Sequence, residues 1–336
     1  MKARIKEIGL VVFFLLFTFI SCSRKPETSC IFGDKIPQQV LEQIIPLGNR
    51  IMMGIESGDF DQIYQLASQD MKESQTKEQF KTLMKGILQN FSPLEYSRLG
   101  EAYYLTNQVK GNPEAVNVAC DLTGRGALDI YQAPPNSELV SLIFYSKSGE
   151  ETVQTLIELI KEADGWRLFS ISITPRTLRK RTVDYYIREA RKEREKGRLR
   201  LALLYYQIAY LLSNLSPNIN EFVSRSVLAE MSQLKTDYFP MGQPEVWKID
   251  DTRYRVLEVG VFLAQGEPWV KVSWVAVSLE DTEKLNELSQ KLLDFVVSNF
   301  PEYQDFFVGV VVEAFSQDPL YAKQSYRQFR RFPEKK

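Results

Sequence analysis

The chain has 336 residues with 42 Lys or Arg, 43 Asp or Glu and no histidine, so its formal net charge is −1 and its length suits two or three packed units. Near-neutrality argues against a dedicated nucleic-acid binder, whose affinity needs a basic surplus to displace counterions. Without histidine a Ser-His-Asp or Cys-His machine is excluded, and three cysteines cannot give four thiolates to a structural zinc.

Lys2, Arg4 and Lys6 precede a short apolar run, Ile8 to Ile20, interrupted by Gly9 and Thr18. A spanning helix needs roughly 20 apolar residues, so this pattern of charged start and short apolar core reads as a secretory signal over residues 1–21. Phe19-Ile20-Ser21-Cys22 resembles a bacterial lipobox, with Phe19 where Leu is usual and Ile20 where a small residue is usual. The resemblance implies cleavage after Ser21 and diacylation of Cys22, two chains being enough for stable anchoring. Ser23, not an acidic residue, follows, which favours an outer-membrane destination among exported, envelope-anchored ones. Residues 22–36 are polar with Pro and Gly and read as a tether. Cys30 in a tether and Cys120 in an apolar alternation are expected to stay unpaired.

Residues 37–175 form the first unit. Pro46 is expected to open a helix, Asp59 to cap a short second one, and Thr76 with Gln79 to form a capping box. Phe80, Leu83, Met84, Ile87, Leu88 and Phe91 then recur at helical spacing. Period two follows in Val116-Val118-Cys120-Leu122, and strands are expected over Leu139–Tyr145, Thr152–Ile160 and Trp166–Ile173, with turns at Ser148-Gly149 and Asp164-Gly165. Helices first and an antiparallel sheet after predict an α+β layout with helices over one sheet face.

The stretches GDFDQIYQLAS (58–68), TKEQF (76–80) and IELIKEADGWRLFSISI (157–173) resemble the nuclear transport factor two superfamily, a cone of helices over a curved sheet. The resemblance implies either a ligand pocket or a packed core between helices and sheet. Candidate lining residues are Tyr64, Phe80, Met84, Tyr103 and Trp166, with Met52, Met71, Phe91, Val118 and Phe144 beside them. Their bulk, and the few polar atoms among them, predict a mostly filled cone. A carboxylate beside Tyr64 or Tyr103 in an open pocket would instead point to an enzyme working with Tyr and acidic partners.

Residues 176–240 form a helical unit. EKGRLRLALLYYQIAYLL (195–212) is similar to a tetratricopeptide hairpin, with Tyr186, Ala190, Ala202, Tyr206 and Ala209 at its packing positions, and a third helix follows over Asn220–Leu234. One repeat suggests a connector, the alternative being an adaptor that holds a protein in a groove beside Tyr206. Residues 176–200 carry 11 Lys or Arg against 4 Asp or Glu. They read as a solvated face laced with pairs such as Glu189–Lys192 and Glu193–Lys196, or as a surface for anionic headgroups.

Residues 241–336 predict a ββαβ unit: a hairpin Tyr254–Ala264 and Trp269–Leu279, a helix carrying Leu285, Leu288, Leu292, Phe295 and Val296, and a strand Phe306–Phe315 with Val308, Val310 and Val312 facing the core. The tail with Tyr326, Phe329, Arg330, Arg331 and Phe332 reads as a terminus docked by its aromatics. Gly124-Arg125-Gly126 lacks the context of a phosphate loop, and Asp59/Asp61 and Asp250-Asp251 suit caps and turns better than calcium. The chain thus reads as a lipid-anchored α+β envelope protein with a binding or assembly role. Its partners are the membrane and a protein; no cofactor, metal or nucleic acid is expected.

Overall fold

The computed structural model describes residues 28–91, 93–108, 116–121, 128–214, 219–264, 266–316 and 325–332, so the signal segment, Cys22 and Gly124-Arg125-Gly126 lie outside the described residues. The protein is α+β, in two lobes.

The first lobe begins with β1 (Thr28–Phe32) and a 3-10 turn (Gly33–Lys35), where a tether was expected through residue 36. β1 pairs with β2 (Glu95–Asn107), and Ile36 is buried in the core. An apolar Ile31 and Phe32 beside an open sheet edge outweigh the polar composition of the stretch. Four helices follow: α1 (Gln38–Ser57), α2 (Phe60–Gln65), α3 (Gln69–Ser74) and α4 (Lys77–Leu88). Pro46 does not open α1 but sits inside it, at the loss of one backbone hydrogen bond. Burial of Ile44, Ile51, Met52 and Ile55 on one face offsets that loss. Gly48 brings α1 close to the sheet, since a Cβ there would lie 2.5 Å from Leu142 Cδ1. Asp59 caps α2, and Thr76 with Gln79 forms the expected capping box at α4. Leu83 departs from expectation: α4 buries Phe80 and Met84 and turns Leu83 outward, 54% exposed.

β2, β5 (Ser137–Ser148), β6 (Glu151–Glu162) and β7 (Gly165–Pro175) complete an antiparallel sheet in the order β1-β2-β5-β6-β7. One face carries Val140, Leu142, Phe144, Val153, Ile157 and Leu159 against the helices. The other carries Tyr103, Leu105, Leu139, Ile143 and Leu156 against a second sheet of β3 (Val116–Asp121), β4 (Leu128–Ala133) and β8 (Ile219–Asn220). The expected strand at Val116 therefore belongs to a separate small sheet. Cys30 on β1 and Cys120 on β3 are joined by a disulfide, with Cα atoms 5.4 Å apart, which corrects the expectation of two free thiols. Once β1 pairs with β2, Cys30 is no longer in a loose segment.

α5 (Val183–Glu195), α6 (Leu199–Ser213) and α7 (Phe222–Ser232) form the helical unit, whose small residues Ala190, Ala202 and Ala209 are fully buried where the helices approach. Its core is continuous with that of the last unit, running from Leu178 to Phe332. There β9 (Glu245–Ile249), β10 (Thr252–Ala264), β11 (Glu267–Val275), β12 (Gly309–Phe315) and β13 (Ser325–Arg331) make a sheet in the order β13-β12-β11-β10-β9. α8 (Thr282–Asn299) is the crossover between the parallel strands β11 and β12. The tail expected as a docked terminus is strand β13, paired to β12 from Ser325 to Arg331. Its alternation of aromatic and basic residues fits an edge strand with one exposed row. Val310 and Val312 face the core as expected; Val308 is half-buried just before β12, and Val311 is buried on the opposite face.

Candidate functional site

The expected cone pocket divides. Phe80, Met84 and Trp166 lie in one core with Met52, Met71 and Phe144, and Tyr64 and Phe91 pack at its margin. The Tyr64 ring leans on Phe80, with centroids 5.8 Å apart, and its hydroxyl donates to the Gln75 carbonyl at 2.9 Å, so the phenol closes a turn. The Thr155 hydroxyl is buried among these residues without a partner. Tyr103 and Val118 do not line the cone. Alternation along β2 sends Tyr104 toward the helices and Tyr103 to the small sheet, where its ring lies 5.8 Å from Tyr131.

Tyr103 does have a carboxylate partner, on that outer face: Glu101 accepts from the Tyr103 hydroxyl and, at 2.7 Å, from Tyr145. Burial first, and then the bond to Glu101, push both phenols well above their ordinary range. They stay protonated and act as donors, which suits a clamp between β2 and β5 rather than proton abstraction. Asp129 nearby is raised chiefly by burial and accepts from the Phe222 backbone at 2.7 Å, tying β4 to α7. Sequence reading missed Glu101 and Tyr145 because strand pairing across more than 40 residues unites them.

A cleft of about 560 Å³ opens between the lobes, lined by Phe91, Ser148, Glu151, Thr177, Leu178 and Leu263 among others. Its volume is that of a small-molecule site. Its two carboxylates are already engaged: Glu151 accepts from the Thr177 hydroxyl at 2.6 Å and from the Lys180 backbone at 3.0 Å, while Lys180 Nζ pairs with Glu150 at 2.6 Å. These bonds pin the chain as it passes from β7 into the second lobe.

The second lobe has helices over one sheet face, and its other face carries long side chains in register. Phe262 stands opposite Trp269, Val311 opposite Phe329, and Glu313 opposite Arg327. The Arg331 guanidinium lies 5.4 Å from the Trp269 ring and that of Arg327 5.3 Å from Phe262. Phe329 sets its edge on Trp269 at 5.4 Å and remains 48% exposed. Gly309 makes this possible: a Cβ there would meet Trp269 Cζ3 at 2.5 Å and the Arg330 carbonyl at 2.2 Å. Arg327 is also held by Glu313 at 2.6 Å and Lys271 by Glu258 at 2.8 Å. The result is a preformed patch of stacked arginines and rings.

The helical unit offers less. Tyr206 is fully buried, and its hydroxyl donates to Glu230 of α7 at 2.6 Å, so α7 occupies the place an adaptor groove would take. The basic run is laced with carboxylates: Glu189–Lys192 and Glu193–Lys196 pair as expected, and Arg198 reaches Glu193 and Asp305. Among the described residues no group of three or more His, Cys, Asp or Glu side chains is placed to hold a metal, and no helix is long and apolar enough to cross a membrane. No protein-family model, curated protein or solved structure matches this chain.

Proposed function

We propose that this protein is exported, anchored to the cell envelope through Cys22, and serves there in binding or assembly, with a protein partner on the arginine–aromatic face of the second lobe. The observation that carries the binding role is the contrast in side-chain placement. Between the helices and the first sheet, methionines and aromatics are buried in the core, whereas Phe329, Arg327 and Arg331 are stacked on an outer surface. Aromatic and arginine side chains are the types that carry interface energy, and a patch already stacked loses little freedom on docking. The Cys30–Cys120 disulfide supports export, since such bonds persist in oxidising compartments, and it leaves Cys22 without an intramolecular partner for its thiol.

Two measurements on the full chain in a bacterial host test this. Labelled palmitate is expected to enter the wild type and not Cys22→Ala, with only the wild type in the membrane fraction. A photo-reactive residue at Phe329 is expected to give one discrete protein adduct, and the same probe at the exposed Val277 none. Equal labelling of both chains defeats the anchor; silence at Phe329 defeats the binding face.

A further inference from the structure

Cys22 and Thr28 are six residues apart, and six residues reach at most about 20 Å. The first lobe therefore cannot stand far from a bilayer that holds Cys22, provided that β1 stays in its sheet. β1 is a five-residue edge strand with one paired neighbour, and strands of that kind fray readily. The Ser29 and Thr106 hydroxyls share a hydrogen bond of 2.6 Å, and the disulfide carries Cys30 onto β3. Were β1 to peel away, the next buried residue would be Ile36, and the leash would lengthen to 14 residues, about 50 Å.

We propose that the rim of the first sheet around Thr28 is the surface turned toward the bilayer, and that the Cys30–Cys120 bond keeps it there, holding β1 in its sheet and the leash to no more than the eight residues between Cys22 and Cys30. This rests on the anchor at Cys22 proposed above. Strand register defines the rim: Thr28 pairs with Asn107, Asn107 with Ser137, and the β6–β7 turn closes at Glu162 and Gly165 on the same end. The opposite end, at Ser148 and Pro175, borders the cleft where the second lobe begins, a β5 length of about 36 Å away. Lys147 lies at that opposite end, where it pairs with Glu95 and Thr152.

The rim's charges are mixed and largely paired, Lys161 with Glu138 at 3.1 Å and Arg167 with Asp164. Proximity is accordingly set by the leash and not by attraction to anionic lipid. The occupant is the same bilayer that holds the acyl chains, whatever its charge.

The test uses full-length acylated protein in phosphatidylcholine vesicles carrying a headgroup-linked acceptor dye. A donor is introduced through a non-natural amino acid at Asn136 on the rim or at the exposed Lys147 at the far end of β5, leaving the cysteines intact. Energy transfer is expected to be several-fold stronger from Asn136, and unchanged by salt or by added anionic lipid. Dithiothreitol should lower it while the protein stays vesicle-bound. Inserting eight Gly and Ser residues after Ser23, with the disulfide intact, should lower it equally without touching the fold. Equal transfer from both positions, or no response to the insertion, overturns the proposal. A protein without acyl chains by mass, and not floating with vesicles, overturns the anchor itself and the proposal with it.

Discussion

The two lobes cover their five-stranded sheets differently. In the first lobe both faces are covered, helices on one and a three-stranded sheet on the other, and a disulfide ties the edge strand to the smaller sheet. In the second, α5–α8 supply one cover, and the other face shields itself with Trp269, Phe329 and the stems of Arg327, Arg331 and Lys271. Snorkelling side chains let a sheet face bury Val311 and Ser273 with no element above them among the described residues. The first lobe has its sheet covered on both faces, the second on one.

The strongest way to probe that contrast is to remove the cross-link. Cys30→Ala with Cys120→Ala is expected to destabilise the first lobe by about 2–5 kcal/mol. Trp166 reports on that lobe, and Trp247, Trp269 and Trp274 on the other. Urea unfolding in a Trp166→Phe background should show the second lobe's midpoint unmoved; a common shift would mean that the lobes unfold as one.

Gly309→Ala is the matching lesion in the second lobe. Its Cβ meets the Arg330 carbonyl at 2.2 Å, a backbone atom that cannot step aside. Overpacking of this kind costs about 1–3 kcal/mol. The Trp269 signal should shift while that of Trp166 holds.

Glu230→Gln sharpens the comparison through pH. The Arg191 bond foremost holds the Glu230 carboxyl below its ordinary 4.5, burial opposes this, and the Tyr206 hydroxyl adds to it. A depressed pKa contributes stability above pH 4.5 that is lost as pH falls through the folded value. The variant should therefore lose less stability than the wild type on acidification from neutral pH into that range, in the second lobe alone. Parallel acid curves for the two proteins would contradict this.

Phe329→Ala should have the smallest effect on folding, within about 0.5 kcal/mol, because the ring is half-exposed. Any partner bound at the arginine–aromatic face should nevertheless be lost, as judged by cross-linking from the exposed Ser325 on the same edge strand. A large loss of stability would show that the ring serves the fold and not a partner.

Much of the local architecture follows from the sequence alone. Caps at Asp59 and Thr76, turns at Gly149 and Gly165, the strands β5 to β7 and the small residues of the helical hairpin depend on residues within a few positions of one another. The absence of histidine likewise excludes whole classes of chemistry through composition alone. Tertiary structure decided the rest, because it depends on which distant strands pair. Period two separates Tyr103 from Tyr104, but only the packing of the helices and the small sheet determines which of them faces the helices. Cys30 and Cys120 are 90 residues apart and meet because β1 joins β2 beside β3. Phe329 and Arg331 are visible in the tail, yet their partners Phe262 and Trp269 come from strands 60 or more residues earlier. Local sequence sets which side chains share a face; the register between distant strands sets what that face meets.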